Sequence, residues 1–240
     1  MKDGNRAWPS VVEIEVNSRC NRRCIYCPNS VPSFPSTEKR MSAALFEKII
    51  LELTEIQFSG RLSFHFYNEP LLRRDLESLV AWARPRLPFA YFVLYTNGDL
   101  LTESRYEALL DAGMDHFLVT RHDFDAYPTR AFQFVQHPHN FTVSGRGGTI
   151  AESEDALDIG CFAPSDMLNV TVDGDVVLCH EDAEKRHIMG SLAVQKLPEI
   201  WLGERFEAFR EPLERGDRIG AGAICARCDN RLYPVPGAAI

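Results

Sequence analysis

The chain is predicted to be an α/β protein, with a parallel sheet or barrel first and a smaller part built of a β-hairpin and a helix after it. Three observations predict this. Strand-like apolar runs alternate with helix-period runs from Val11 to Ser144. After roughly residue 150 the rhythm changes and an Asp-Gly hairpin signal appears. Polar segments end the strand-like runs, and parallel α/β architectures carry their chemistry at that edge.

Val11 to Asn17 alternates apolar and polar residues like a strand and runs into a cysteine loop. Ser42 to Glu55 reads as an amphipathic helix, with Leu45, Ile49 and Leu53 on one stripe and Ser42 as its cap. Gly60 opens a second strand, Arg61 to Tyr67, which ends in Asn68-Glu69-Pro70; Leu71 to Ala83 is helical. Phe89 to Tyr95 is a third strand, ending in Thr96-Asn97-Gly98, and Thr102 to Ala112 is a helix stopped by Gly113. Phe117 to Thr120 is a fourth strand and Phe141 to Ser144 a fifth. One rim thus collects the cysteine loop, Asn68-Glu69-Pro70, Thr96-Asn97-Gly98 and Thr120-Arg121-His122. Beyond it, Leu168 to Leu178 reads as a hairpin around Asp173-Gly174, and Pro198 to Arg210 as a helix with proline in its first turn.

The 240 residues, 45% hydrophobic and 25% charged, suffice for one large domain or one domain plus an appendix. The formal charge of −8 argues against nucleic-acid and anionic-membrane partners. The N-terminal Met1 to Arg6 has no apolar signal-like run, and no apolar stretch is long enough to span a bilayer, so a cytoplasmic location is expected.

Seven cysteines then point to metal rather than to disulfides. Cys20, Cys24 and Cys27 stand as C-x3-C-x2-C in one short loop. Three thiolates there suit a 4Fe–4S cluster with one iron left open, and an open iron can bind and activate a ligand. A zinc site is the alternative, but structural zinc prefers four ligands in two separated pairs. Cys161, Cys179, Cys225 and Cys228 form a second group that can close a cluster completely, or hold a rubredoxin- or zinc-type ion.

The triplet, with Tyr26 before its last cysteine, resembles the signature of the radical S-adenosylmethionine superfamily. That resemblance implies a partial (β/α) barrel over residues 1–150, two 4Fe–4S clusters and S-adenosyl-L-methionine as cofactor. Cleavage of the cofactor at the open iron would yield a 5′-deoxyadenosyl radical, the electron coming from a reductant such as flavodoxin or ferredoxin. Tyr26 belongs to the cofactor site, and Tyr67-Asn68-Glu69-Pro70 is similar to the family's methionine-binding segment, of which Glu69 and Pro70 match literally. Thr120 stands where the family places a hydroxyl against the ribose, or it simply caps a strand end. Residues 151–240, with a cysteine before the hairpin, one after it and a C-x2-C pair after a helix, resemble the shortened "twitch" auxiliary-cluster domain.

The resemblance continues through Ile14 to Ser18, Cys27 to Ser30, Ser63 to Tyr67 and Tyr95 to Glu103. It is to the twitch-type radical enzymes of aminoglycoside biosynthesis, which comprise carbinol dehydrogenases and epimerases. A small aminocyclitol or aminosugar is the implied substrate. Arg146 matches the family's arginine facing the substrate hydroxyl and Glu181 a substrate-contacting carboxylate, unless Glu181 and Asp182 form a solvated loop. Tyr67 and Tyr95 would pack against the sugar or fill the barrel; His65 and His122 are assigned no role.

Both reactions begin with loss of the carbinol hydrogen. Oxidation then requires loss of a proton and an electron, whereas inversion requires a hydrogen atom from the opposite face, usually from a thiol. All seven cysteines serve as ligands in this reading, so the chain is expected to oxidise. Ala183, beside Cys179 to Asp182, is the position at which a donor cysteine would turn oxidation into inversion, and a replaced cysteine there would make the parent an epimerase. An iron–sulfur electron-transfer protein is a remote alternative.

Overall fold

The structure, a computed structural model, describes residues 6–32, 34, 38–122, 133–136 and 143–237, with backbone alone at 133 and 134. Its strands are β1 (Val11–Ile14), β2 (Arg61–Ser63), β3 (Tyr91–Thr96), β4 (His116–Thr120), β5 (Gln133–Gln136), β6 (Met167–Val170), β7 (Asp175–Val177) and β8 (Ile188–Ser191). Its α-helices are α1 (Ala43–Glu55), α2 (Leu76–Ala83), α3 (Glu103–Asp111), α4 (Ala163–Asp166), α5 (Leu197–Trp201), α6 (Glu204–Glu214), α7 (Arg218–Ala221) and α8 (Ala223–Ala226). Among the described residues no helix is long and apolar enough to cross a membrane.

The strands form one sheet in the order β5-β4-β3-β2-β1-β6-β7-β8. Pairing is parallel from β5 through β6 and antiparallel across β7 and β8. The predicted hairpin is therefore not a separate appendage. Its first strand lies alongside β1, from Val11 opposite Met167 to Ile14 opposite Val170. The seven residues Val11 to Asn17 are all buried, Glu13 and Glu15 included. Despite its alternation of apolar and polar residues, the segment is covered on both faces, as strands inside a parallel sheet are.

The capping chemistry gives the helices their starts. Ser42 Oγ accepts from the Leu45 amide at 3.2 Å and Thr102 Oγ1 from the Arg105 amide at 3.2 Å. Gly113, at φ +105°, ends the third helical segment as expected. Phe46, Ile49, Ile50 and Leu53 of α1 pack with Val12, Ile14, Phe64 and Phe92 in the main core.

Three expectations are corrected. Leu71 to Ala83 is not one helix: Pro70–Leu72 is a 3-10 turn, and Arg73 is extended before α2 begins. The buried Arg73 guanidinium donates to the Val16 and Met41 carbonyls, at 2.8 and 2.7 Å, and this tie interrupts the helix. Pro198 to Arg210 is divided into α5 and α6, because Gly203 adopts extended backbone and a Cβ on it would lie 2.7 Å from the Glu199 carbonyl oxygen. The fifth strand is Gln133–Gln136; Phe141 and Thr142 lie outside the described residues, and Val143 and Ser144 are not in a strand.

Gly60 sets the start of the β1–β2 pair. Arg61 donates its amide to the Ser10 carbonyl at 2.9 Å, and a Cβ on Gly60 would come 2.0 Å from that same oxygen. Gly60→Ala is expected to destabilise the fold by about 2–3 kcal/mol, since backbone on both sides must move. Thermal unfolding checks this; an unchanged Tm would refute it.

Candidate active site

The C-terminal edge of the parallel strands encloses a cavity of about 290 Å³. Cys20, Cys24 and Cys27 line it. Their loop is held from several sides. The Cys27 amide donates to the Cys24 carbonyl at 2.8 Å, Arg22 grips Asp99 through two nitrogens at 2.6 and 2.5 Å, and Asn97 Nδ2 reaches Asn21 Oδ1 at 2.8 Å. Burial pushes the Cys20 thiol up to about 11, and the neighbouring Glu69, Cys27 and Cys24 add to the shift. Three thiolates so placed are unfavourable alone and become favourable against a metal cluster, which deprotonates coordinating thiols outright.

Cys161, Cys179, Cys225 and Cys228 line a second cavity. They come from four places: just before α4, just after β7, within α8 and shortly past it. Burial pushes Cys225 and Cys228 up to about 12, helped by Cys161 and Cys228 for the first and chiefly by Glu181 for the second. All seven thiols are free of disulfides. Among the described residues no three His, Cys, Asp or Glu side chains are placed to ligate a single metal ion. The all-thiolate donor sets and their cavities fit iron–sulfur clusters, one three-liganded and one closed. His180 and Tyr233 line both cavities and form the wall between them.

The expected cofactor residues all line the first cavity. Tyr26 hydroxyl and His122 Nδ1 are hydrogen-bonded to each other. Asn68 Oδ1 accepts from the Phe66 amide at 2.8 Å, while its buried Nδ2 has no partner, an orphan donor that a polar ligand would satisfy. Thr120 Oγ1 accepts from Gln136 Nε2 at 2.9 Å. Glu69 is spent internally: its carboxylate accepts from the Leu71 amide (3.0 Å), Thr96 Oγ1 (2.8 Å) and the Asn97 amide (2.8 Å). These residues fit S-adenosylmethionine, with Asn68 Nδ2 the free donor and Glu69 a tie between strand ends.

Of the expected substrate residues, Tyr67, Tyr95 and Arg146 line the first cavity. The Tyr67 hydroxyl donates to the His180 carbonyl. Tyr95 stacks on His65 with ring centroids 4.4 Å apart. Arg146 lies 5.8 Å over the Tyr67 ring, and its guanidinium is 3.5 Å from Glu181 Oε1. It adopts φ +53°, and Gly147 follows at φ +56°, where a Cβ would lie 2.8 Å from Ile224 Cγ1. That close approach is what requires the glycine.

Glu181 is placed differently from the expectation. It is buried, lines the second cavity and does not line the first. Its carboxylate accepts from Ser144 Oγ at 2.7 Å and Asn230 Nδ2 at 2.6 Å, with His180 Nε2 at 3.0 Å. Burial alone would raise its pKa, but His180, Arg146 and Ser144 outweigh burial and hold it at about 2. Glu181 therefore anchors Arg146 and His180 from behind, and the solvated-loop alternative does not apply to it or to the equally buried Asp182. Ala183 is buried and lines neither cavity.

Several cavity residues went unmarked in the sequence. Gln136, His180 and Tyr233 have no motif to announce them. Glu13, within the strand-like run, lines the first cavity as well.

The comparisons with known proteins agree with this geometry. Residues 14–159 match the Radical SAM superfamily profile and residues 161–229 the profile of an iron–sulfur cluster-binding domain, SPASM. The chain is 36% identical over 235 residues to the S-adenosyl-L-methionine-dependent 2-deoxy-scyllo-inosamine dehydrogenase of Niallia circulans, covering 92% of this chain and 93% of that one. The crystal structure of BtrN with AdoMet and 2-DOIA superposes with a TM-score of 0.88 at 34% identity, covering 95% and 96% of the two chains. An open conformation of BtrN superposes with a TM-score of 0.79 at 33% identity, covering 98% of each.

Proposed function

Because the chain belongs to the radical S-adenosylmethionine superfamily, with an iron–sulfur cluster-binding domain at its C-terminal side, we propose that it oxidises a secondary alcohol of an aminocyclitol or aminosugar to a ketone. The observation that carries this reading is the division of seven free cysteines between two cavities that share the His180–Tyr233 wall. When bound, the two clusters and S-adenosylmethionine supply an acceptor for the carbinol hydrogen atom and a sink for the remaining electron. The hydroxyl proton leaves to solvent, so atoms and electrons balance for a two-electron oxidation.

The chain's own residues position the alcohol. Arg146, anchored by Glu181, directs its guanidinium at the hydroxyl and favours loss of its proton by charge. Tyr67, Tyr95 and Tyr233 exclude water and pack against the ring. Asn68, Thr120 and Tyr26 hold the cofactor. Residues 1–150 carry the radical chemistry and 151–240 the auxiliary cluster. A cytoplasmic location, with a one-electron donor such as flavodoxin or ferredoxin, suits seven reduced thiols.

The test is anaerobic turnover with reductant, S-adenosylmethionine and a panel of aminocyclitols and pseudodisaccharides. Ketone and 5′-deoxyadenosine are expected in equal amounts; absence of 5′-deoxyadenosine rejects the radical reading. Epimerisation is the second outcome to separate, but Ala183, the expected position of a replaced donor cysteine, is buried and lines neither cavity, so a thiol there does not face the alcohol. Ala183→Cys in deuterated water checks this: ketone alone is expected, and deuterium in an inverted alcohol would assign the donor role to position 183.

A further inference from the structure

We propose that Glu13 recognises the substrate's ammonium group, a role resting on the aminocyclitol reading above. Six acidic side chains are buried among the described residues: Glu13, Glu15, Glu52, Glu69, Glu181 and Asp182. Five have hydrogen-bond donors. Glu15 accepts from Lys185 Nζ and the Val172 amide, Glu52 from Lys48 Nζ and the Leu197 amide, and Asp182 from the Arg186 and His187 amides. Glu69 and Glu181 are satisfied as described above. Glu13 has none: its nearest partner is His65 Nε2, 3.9 Å away. Burial lowers the His65 pKa, so that ring does not supply a standing cation.

A buried carboxylate without a donor is costly unless something arrives to satisfy it. Glu13 opens onto the cavity, so the missing partner can be a ligand. Its neighbours strengthen the case. In register with Glu13 stand Ser63 on β2 and Asn169 on β6. Both are fully buried, and Ser63 Oγ, Asn169 Nδ2 and Asn169 Oδ1 have no hydrogen-bond partner. Three adjacent strands thus present a row of unsatisfied polar groups on one face, because in-register residues share a face. Of the three, only Glu13 lines the cavity, and a primary ammonium, with three donors and a positive charge, suits that carboxylate.

The experiment measures equilibrium binding to the anaerobic, cluster-loaded protein with S-adenosylmethionine present. The probes are 2-deoxy-scyllo-inosamine and its analogue with hydroxyl in place of the amine. Glu13→Gln is expected to weaken binding of the amine about 10- to 100-fold, the loss of one charge-assisted hydrogen bond, and to leave the hydroxyl analogue within about threefold. The unaltered protein should itself prefer the amine by a similar factor, which tests the assignment without changing β1. Equal binding of both probes by the unaltered protein overturns the assignment alone. So does a Glu13→Gln variant that loses S-adenosylmethionine instead. If the unaltered protein makes 5′-deoxyadenosine but binds neither probe, the aminocyclitol reading falls and Glu13 falls with it.

Discussion

Replacing Cys20 with alanine is expected to abolish 5′-deoxyadenosine formation while sparing the fold. Two remaining thiolates, Cys24 and Cys27, cannot hold a cluster that needs three. Iron content should fall from about eight to about four per chain, because the second cavity draws its thiols from other elements and loses nothing. The loop itself is tied by Arg22 to Asp99 and by Asn21 to Asn97, contacts that do not involve the Cys20 side chain. The Cys20 sulfur itself accepts only long bonds, from the Arg22 amide at 3.4 Å and Asn97 Nδ2 at 4.0 Å, so its removal costs function far more than stability. Iron analysis, low-temperature electron paramagnetic resonance and 5′-deoxyadenosine assay check the outcome together. A variant that keeps both clusters would refute the assignment of the triplet.

Glu69→Ala should show the opposite pattern, a large loss of stability together with a loss of cofactor binding. Three buried donors, the Leu71 and Asn97 amides and the Thr96 hydroxyl, lose their acceptor. Each unsatisfied group costs about 1–3 kcal/mol, and for neighbours that relax together a total of about 3–5 kcal/mol is expected. For a chain of this size that lowers Tm by about 6–20 °C. Release of the Asn97 amide also frees the side chain that reaches Asn21 in the cysteine loop. Glu69→Gln keeps an accepting oxygen and should lose about half as much. A Tm shift below about 2 °C for the alanine variant would refute this account.

The sequence was most legible where chemistry depends on spacing. Cys20, Cys24 and Cys27 announce themselves in one loop, and the helix caps at Ser42 and Thr102 are local events. Long-range features were hidden. Nothing near Val11 says that Met167 will lie beside it, and nothing in the segment marks Glu13 as a cavity residue. Arg73 broke a helical pattern through carbonyls of Val16 and Met41, more than thirty residues away. Gly203 is a local signal, but the pattern around it remains helical. Glu181 shows the remaining limit. A motif can bring a carboxylate to the right neighbourhood, but only its donors, Ser144 and Asn230, show that it faces away from the first cavity.

The pairing of β1 with β6 also bears on how the chain is made. Val11 waits for Met167, 156 positions later, before its second edge is covered. At translation rates of about 5–20 residues per second, that wait lasts about 8–30 s. During it the emerging chain presents an open strand edge, the feature that recruits stray strands from other chains. Nascent chains of this protein should thus depend on chaperone shielding until the second half emerges, and truncation before residue 167 should yield aggregates rather than a smaller folded barrel.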